Sequence, residues 1–244
     1  MGDGIKTVEL ANLALALIPV AAVVFIYLRW TTRAGHVCYA LARMLVQLLT
    51  VGYFLAYLLA TDIPWLVIAI LLLMIAVASW IALNTVLPHR NRLLLKTVLA
   101  IGIGGGSSLF IMSQWVLEVS PWYSAQYLIP LGGMVFANAI TSVSLCAERF
   151  FAEAKHQSDY HQVRAIAFNA SLIPMVNSLF AVGLVSLPGM MTGQILSGVA
   201  PLIAARYQIM VMCMLFAASG ISSALLLHWL KPLFDELVKA QAKN

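Results

Sequence analysis

The residues best equipped for chemistry in this chain are polar groups set into apolar surroundings. Arg43, with Gln47 one turn further on, places a guanidinium inside an otherwise uncharged stretch. A charge there is costly, so it either serves a function or snorkels to the interface. Asn138, Asn177 and Gln208 bring amides into other apolar runs, accompanied by Thr141, Ser142, Asn169, Ser178, Ser219, Ser222 and Ser223. Such groups either hydrogen-bond between helices or line a path for a polar substrate. Among eleven methionines, Met190, Met191, Met210, Met212 and Met214 cluster late in the chain; their thioethers are soft metal ligands as well as packing groups. His156 and His161 lie near Glu153 and Asp159, but the spacing is not that of a metal site, and no metal-ligand set is assigned.

Motifs of soluble catalysis are missing from the sequence. It contains no GxxxxGK[ST], HExxH or GxSxG, and residues 102–108, GIGGGSS, lack the lysine of a phosphate loop. Gly102 and Gly106 are spaced instead for close helix packing. A retinal-binding receptor would need a lysine within the last helix, and 207–230 holds none. A heptahelical sensor of another kind and an intramembrane enzyme remain the alternatives to transport. Cys38, Cys146 and Cys213 form no CxxC and read as small core residues.

These groups are positioned by a membrane scaffold. Seven stretches carry no Asp, Glu, Lys or Arg: 10–28, 44–61, 63–89, 97–117, 119–147, 165–205 and 207–230. A bilayer crossing takes about 20 apolar residues as a helix. Charged residues make up 9% of the chain and hydrophobic ones 62%, whereas soluble domains carry about 25% charged residues. The expectation is one all-α polytopic membrane domain over 1–244, with about seven transmembrane helices. The net charge of +5 is scattered between spans rather than gathered into a patch, so nucleic acid is not an expected partner and membrane lipid is.

Arg29 and Arg33 follow the first run, Arg90, Arg92 and Lys96 the third, Arg149, Lys155 and Arg164 the fifth, and Lys231, Lys239 and Lys243 the seventh. The other side holds only Lys6 and Arg206. The positive-inside rule predicts a multi-pass protein of the cell inner membrane, with its N-terminus outside and C-terminus cytoplasmic. The sixth run, at 41 residues, is too long for one helix, yet two crossings would reverse the C-terminus. A span over about 165–186 followed by a broken or re-entrant segment, SLPGMMTGQILSGVAP, reconciles the two. Pro188, Gly189, Met190, Met191, Thr192, Gly193 and Gln194 then become candidates for a translocation path, with Arg43, Gln47, Asn138, Asn177 and Gln208. Residues 148–164 read as a short helical connection, with Phe150 and Phe151 toward the membrane or a partner, and 231–244 as a short helical tail.

The segment VGLVSLPGMMTGQILSGVAPLIAARYQI at 182–209 resembles the signature of the Fet-type iron-export ABC permeases, related to plant aluminium-tolerance permeases. RMLVQLLTVGYFL at 43–55 and IPLGGMVFANAI at 129–140 agree with it. The connection 148–164 is shorter than is usual in that family, and Ala137 stands where a glycine commonly precedes the asparagine. The resemblance implies a permease without enzymatic activity or cofactor of its own. It implies a homodimer that works with a separate ABC ATPase subunit, which binds the ATP, and it implies iron or another metal as cargo. Phe150, Phe151, Glu153 and Arg164 are then the expected ATPase contacts.

Overall fold

A computed structural model describes residues 10–31, 34–60 and 63–241. Lys6, Arg33 and Lys243, three of the charges in the asymmetry above, lie outside the described residues. The chain forms two compact units, Met1–Leu58 and Leu59–Asn244. The first contains α1 (Leu10–Leu15), α2 (Leu17–Trp30) and α3 (Ala34–Leu59). Arg43 is the tenth residue of α3, about 14 Å along the helix at 1.5 Å per residue.

The second unit begins with α4 (Pro64–Ala82), opened by a proline in its first turn, where no N–H is needed. After the 3₁₀ turn Leu83–His89 comes α5 (Arg90–Ile111), which ends in a π turn, Met112–Val116. Then follow α6 (Ala125–Glu153), α7 (Tyr160–Ala181), α8 (Gly189–Leu196) and α9 (Pro201–Gln241).

Among the described residues, six stretches are long and apolar enough to cross a membrane: Asn12–Trp30, Gly35–Phe54, Pro64–Val116, Ala125–Glu153, Tyr160–Ala181 and Pro201–Lys239. The third, at 53 residues, is far too long for one crossing. Val86 leaves helical geometry at φ −127°, ψ 47°, and the chain doubles back so that Gly102 faces Ile75. The seven expected runs therefore correspond to α2 through α7 and α9. The protein is an all-α polytopic membrane protein.

In lipid, helices gain little from hydrophobic association and are held by close packing and interhelical hydrogen bonds. α5, α6 and α9 form the centre of the second unit, with α4 against α5 and α6, α7 against α6 and α9, and α8 against α9. Leu93, Ile101, Val135, Met214, Leu226 and Leu230 fill the core. Side chains cross between helices to backbone carbonyls: Ser144 Oγ donates to Ala82 O at 2.8 Å, Lys96 Nζ to Trp229 O at 2.8 Å, and Tyr160 OH to Leu227 O. Pro232, inside α9, has no N–H for the His228 carbonyl four residues back, next to the Trp229 carbonyl that Lys96 reaches. Ser219, Ser222 and Ser223 are fully buried, yet their hydroxyls have no hydrogen-bond partner among the described residues. Small size, which admits α5 to close contact, explains them better than the interhelical bonding expected from the sequence.

One end of this unit gathers the basic residues. Arg90 stacks on the Trp80 ring, 3.5 Å from its centroid, and donates to Trp80 O at 2.7 Å. Arg92 pairs with Glu236 at 2.6 Å, and Arg149 with Glu153 at 2.7 Å. The 41 residues of α9 make a rod about 60 Å long, twice the hydrocarbon thickness of a bilayer. Of the tail expected at 231–244, residues 231–241 are thus the continuation of α9, held to the basic end through Leu233 and Phe234, and 242–244 lie outside the described residues.

A cavity at the break before the last helix

The long sixth run breaks where its Pro and Gly residues predict. After α7 the chain makes a tight turn: Val185 N and Ser186 N donate to Ala181 O at 2.9 and 3.1 Å, and Gly183 N to Ser186 O at 2.9 Å. Pro188, extended at φ −61°, ψ 140°, then starts α8, where Thr192 Oγ1 donates back to Pro188 O at 3.0 Å. α8 ends at Leu196, and just beyond its cap Gly198 takes a φ of +92°, costly for any residue with a Cβ. Pro201 opens α9. The irregular backbone is satisfied by its own turns, which non-helical chain in a membrane protein requires.

The break borders an open cavity of about 430 Å³ between α6, α7, α8 and α9. Met134 and Asn138 reach it from α6, Ser178 from α7, Ser186 and Pro188 from the turn, Gly189 and Met190 from α8, and Gln208 and Met212 from α9. Gln208 is 7% exposed, and neither its amide nor that of Asn138 has a hydrogen-bond partner among the described residues. Two smaller clefts share its walls. An apolar one of about 330 Å³ adds Met191, Ile209 and Cys213 to Gln208 and Met212. The other, about 320 Å³, adds Tyr127, Gln194 and Tyr207 to Met134 and Met190. There Gln194 Oε1 is buried without a partner among the described residues. Unpaired amides facing cavities suit a polar or cationic guest, because leaving such groups without one costs about 1–3 kcal/mol each.

Of the path residues expected from the sequence, Asn138, Pro188, Gly189, Met190 and Gln208 line the central cavity, Met191 and Gln194 its neighbours. Thr192, Gly193 and Asn177 are not among the lining residues; Asn177 is exposed, and the adjacent Ser178 takes the place expected of it. Arg43 and Gln47 belong to α3, whereas every residue lining these cavities belongs to the second unit. Ser178 and Met212 were named only among the polar groups and thioethers of the apolar runs, and Met134 and Ser186 were missed. For the two methionines there was a signal, one-turn spacing: Met134 precedes Asn138 by four residues, and Met212 follows Gln208 by four.

The expected ATPase contacts separate. Phe150 is a correction: it is fully buried, packed edge to face on Phe151 and Phe234, and has no surface for a partner. Phe151 is half-buried and stacks on His89, ring centroids 4.2 Å apart, in a cleft of about 240 Å³ with Pro88, Lys155 and Leu237. Glu153 is engaged with Arg149. Arg164 lies beside the Tyr160 ring in a different cleft, with Asn169 and His228. Asp159 caps α7 by accepting from His161 N at 2.8 Å. The acids near the two histidines therefore both hold structural positions.

The profile of the family described as Uncharacterised protein family (UPF0014) matches residues 10–234. The UPF0014 membrane protein slr1647 of Synechocystis sp. is 36% identical over 219 residues, 83% of this chain and 84% of its own. The probable iron export permease protein FetB of Escherichia coli is 31% identical over 228 residues, 87% of this chain and 86% of its own. Protein ALUMINUM SENSITIVE 3 of Arabidopsis thaliana is 30% identical over 226 residues, 86% of this chain and 81% of its own. No solved structure matches the chain. The resemblance first seen in three segments thus holds over most of the sequence. Since the profile begins at α1 and runs into the last turns of α9, the chain belongs to the UPF0014 family of membrane proteins.

Proposed function

We propose that this chain is the membrane permease subunit of an ABC-type exporter of metal ions, driven by a separate ATPase subunit. The observation that carries the reading is the cavity lined by the Asn138 and Gln208 amides, which have no hydrogen-bond partner among the described residues. A membrane helix bundle gains nothing from such groups unless something polar visits them. The relative named as an iron export permease supports export of a metal. The permease works as a homodimer in the inner membrane, N-terminus outside and C-terminus cytoplasmic, and alternates access as two ATPase copies bind and hydrolyse ATP.

The cleft holding Phe151, His89 and Lys155, at the basic end, is the proposed seat of the ATPase. Co-expression with a candidate ATPase should yield a complex that exports metal into inverted vesicles only with ATP. Phe151→Asp should remove the ATPase from the purified complex while the permease still inserts. Metal movement indifferent to ATP, or a complex unaffected by Phe151→Asp together with Lys155→Glu, would overturn the assignment.

Orientation follows from the same reading. A reporter active only outside the cytoplasm, fused after Lys239, should stay silent, and the same reporter fused in the turn at Gly183 should be active. The reverse pattern would invert the topology and put the basic end on the wrong side for an ATPase.

A further inference from the structure

The lining of the central cavity narrows the class of cargo. Its thirteen residues include the thioethers of Met134, Met190 and Met212 and the amides of Asn138 and Gln208, and no carboxylate or imidazole. A hard divalent cation would bring two charges into this setting with no anion to offset their lost hydration. A soft monovalent cation brings one, and polarizable sulfur is the donor that suits it. We propose that this cavity is a binding site for a soft monovalent cation of the Cu(I) or Ag(I) class, held by the Met134, Met190 and Met212 thioethers with the Gln208 amide oxygen.

The methionines named from the sequence divide in a way that supports the assignment. Met210 and Met214 are buried in the helix core and line none of the three cavities around the break, as packing residues should. Met190 and Met212 face the central space from two helices, and Met134 faces it from a third. Gln208, over nine-tenths buried and unpaired, supplies an oxygen with no other partner among the described residues. The inference rests on the permease reading, since it takes the cavity to be where cargo pauses.

The test measures binding without any ATPase. The full chain, in lipid nanodiscs and carrying Cys38→Ser and Cys213→Ser so that exposed thiols do not contribute, is titrated with Ag(I), then challenged with Fe(II) and Mn(II). One Ag(I) per chain should bind, and neither challenger should displace it at equal concentration. Met190→Leu with Met212→Leu should weaken binding by at least ~10-fold, the loss that disturbing even an outer partner of a metal ligand causes. Met44→Leu, at an exposed methionine of α3, should leave binding unchanged. Equal displacement by Fe(II), or equal binding in the double variant, would overturn the proposal. Should that variant fail to fold, X-ray absorption of the Cu(I)-loaded starting protein decides: sulfur neighbours uphold the site, and nitrogen and oxygen neighbours alone overturn it. A chain that binds Ag(I) but is never coupled to an ATPase would contradict the permease reading while leaving this site standing.

Discussion

Gly104→Ala is expected to destabilise the protein by about 1–3 kcal/mol, the range for forcing extra volume into a packed interior, and Gly106→Ala to leave it unchanged or slightly more stable. A Cβ at Gly104 would lie 2.5 Å from Ser222 Oγ, 2.7 Å from Ser222 N and 3.1 Å from Ser222 Cα. Two of those three atoms are backbone, so no rotamer change relieves the clash, and α5 would have to withdraw from α9. A Cβ at Gly105 would come within 3.0 Å of Phe136 and Val135 side chains, which can yield a little, so an intermediate loss is expected there. Among the described residues, a Cβ at Gly106 would meet nothing within 4 Å outside its own helix, and one at Gly102 would lie 3.9 Å from the Ile75 side chain. At those two positions the better helix propensity of alanine, worth up to ~1 kcal/mol, is the main effect. Thermal unfolding of the four purified variants measures the order directly. A larger loss at Gly102 and Gly106 than at Gly104 would mean that their four-residue spacing serves contact with another molecule.

That series shows what the sequence could and could not reveal. The GIGGGSS run announced helix packing, but spacing pointed to Gly102 and Gly106, whereas contact falls on the adjacent Gly104 and Gly105. The reason is geometric. Gly104 faces α9 at Ser222 while Gly105 faces α6 at Val135 and Phe136, so one run serves two neighbours. A four-residue motif describes a single crossing and is blind to that arrangement. The spans themselves were legible because charge exclusion from lipid is severe, and the break at Pro188 because proline and glycine leave few helical options. Phe150 was misplaced for a different reason. An aromatic pair on a short charged connection looks like a docking patch, but α6 continues through it to Glu153, and the continuation of α9 brings Phe234 alongside. Neither continuation leaves a mark in local composition, because charged residues are tolerated once a helix has left the hydrocarbon.

Replacing both Asn138 and Gln208 by leucine should abolish transport while leaving stability unchanged or raised, and this pairing of outcomes separates a cargo site from a structural network. Were these amides holding helices together, their loss would cost about 0.6 kcal/mol or more for each interhelical bond, and unfolding would come earlier. The structure gives them no such bonds among the described residues: both face the central cavity, and Gln208 is nearly buried in doing so. Leucine removes a polar group that the resting protein leaves unsatisfied, which is neutral or favourable for folding. It also removes the oxygens that a partly dehydrated cation would meet, so the loss falls on the transported ion. Because the two positions share one cavity, each single variant should already lose most of the activity, at least ~10-fold, and the double variant little more, the non-additivity of residues in one cluster. ATP-dependent metal uptake into inverted vesicles, set beside thermal unfolding of the same preparations, provides both readings. Two independent partial losses that multiply would place the residues on separate steps, and a fall in stability matching the fall in transport would return them to the structural role that buried amides more often play in helical membranes.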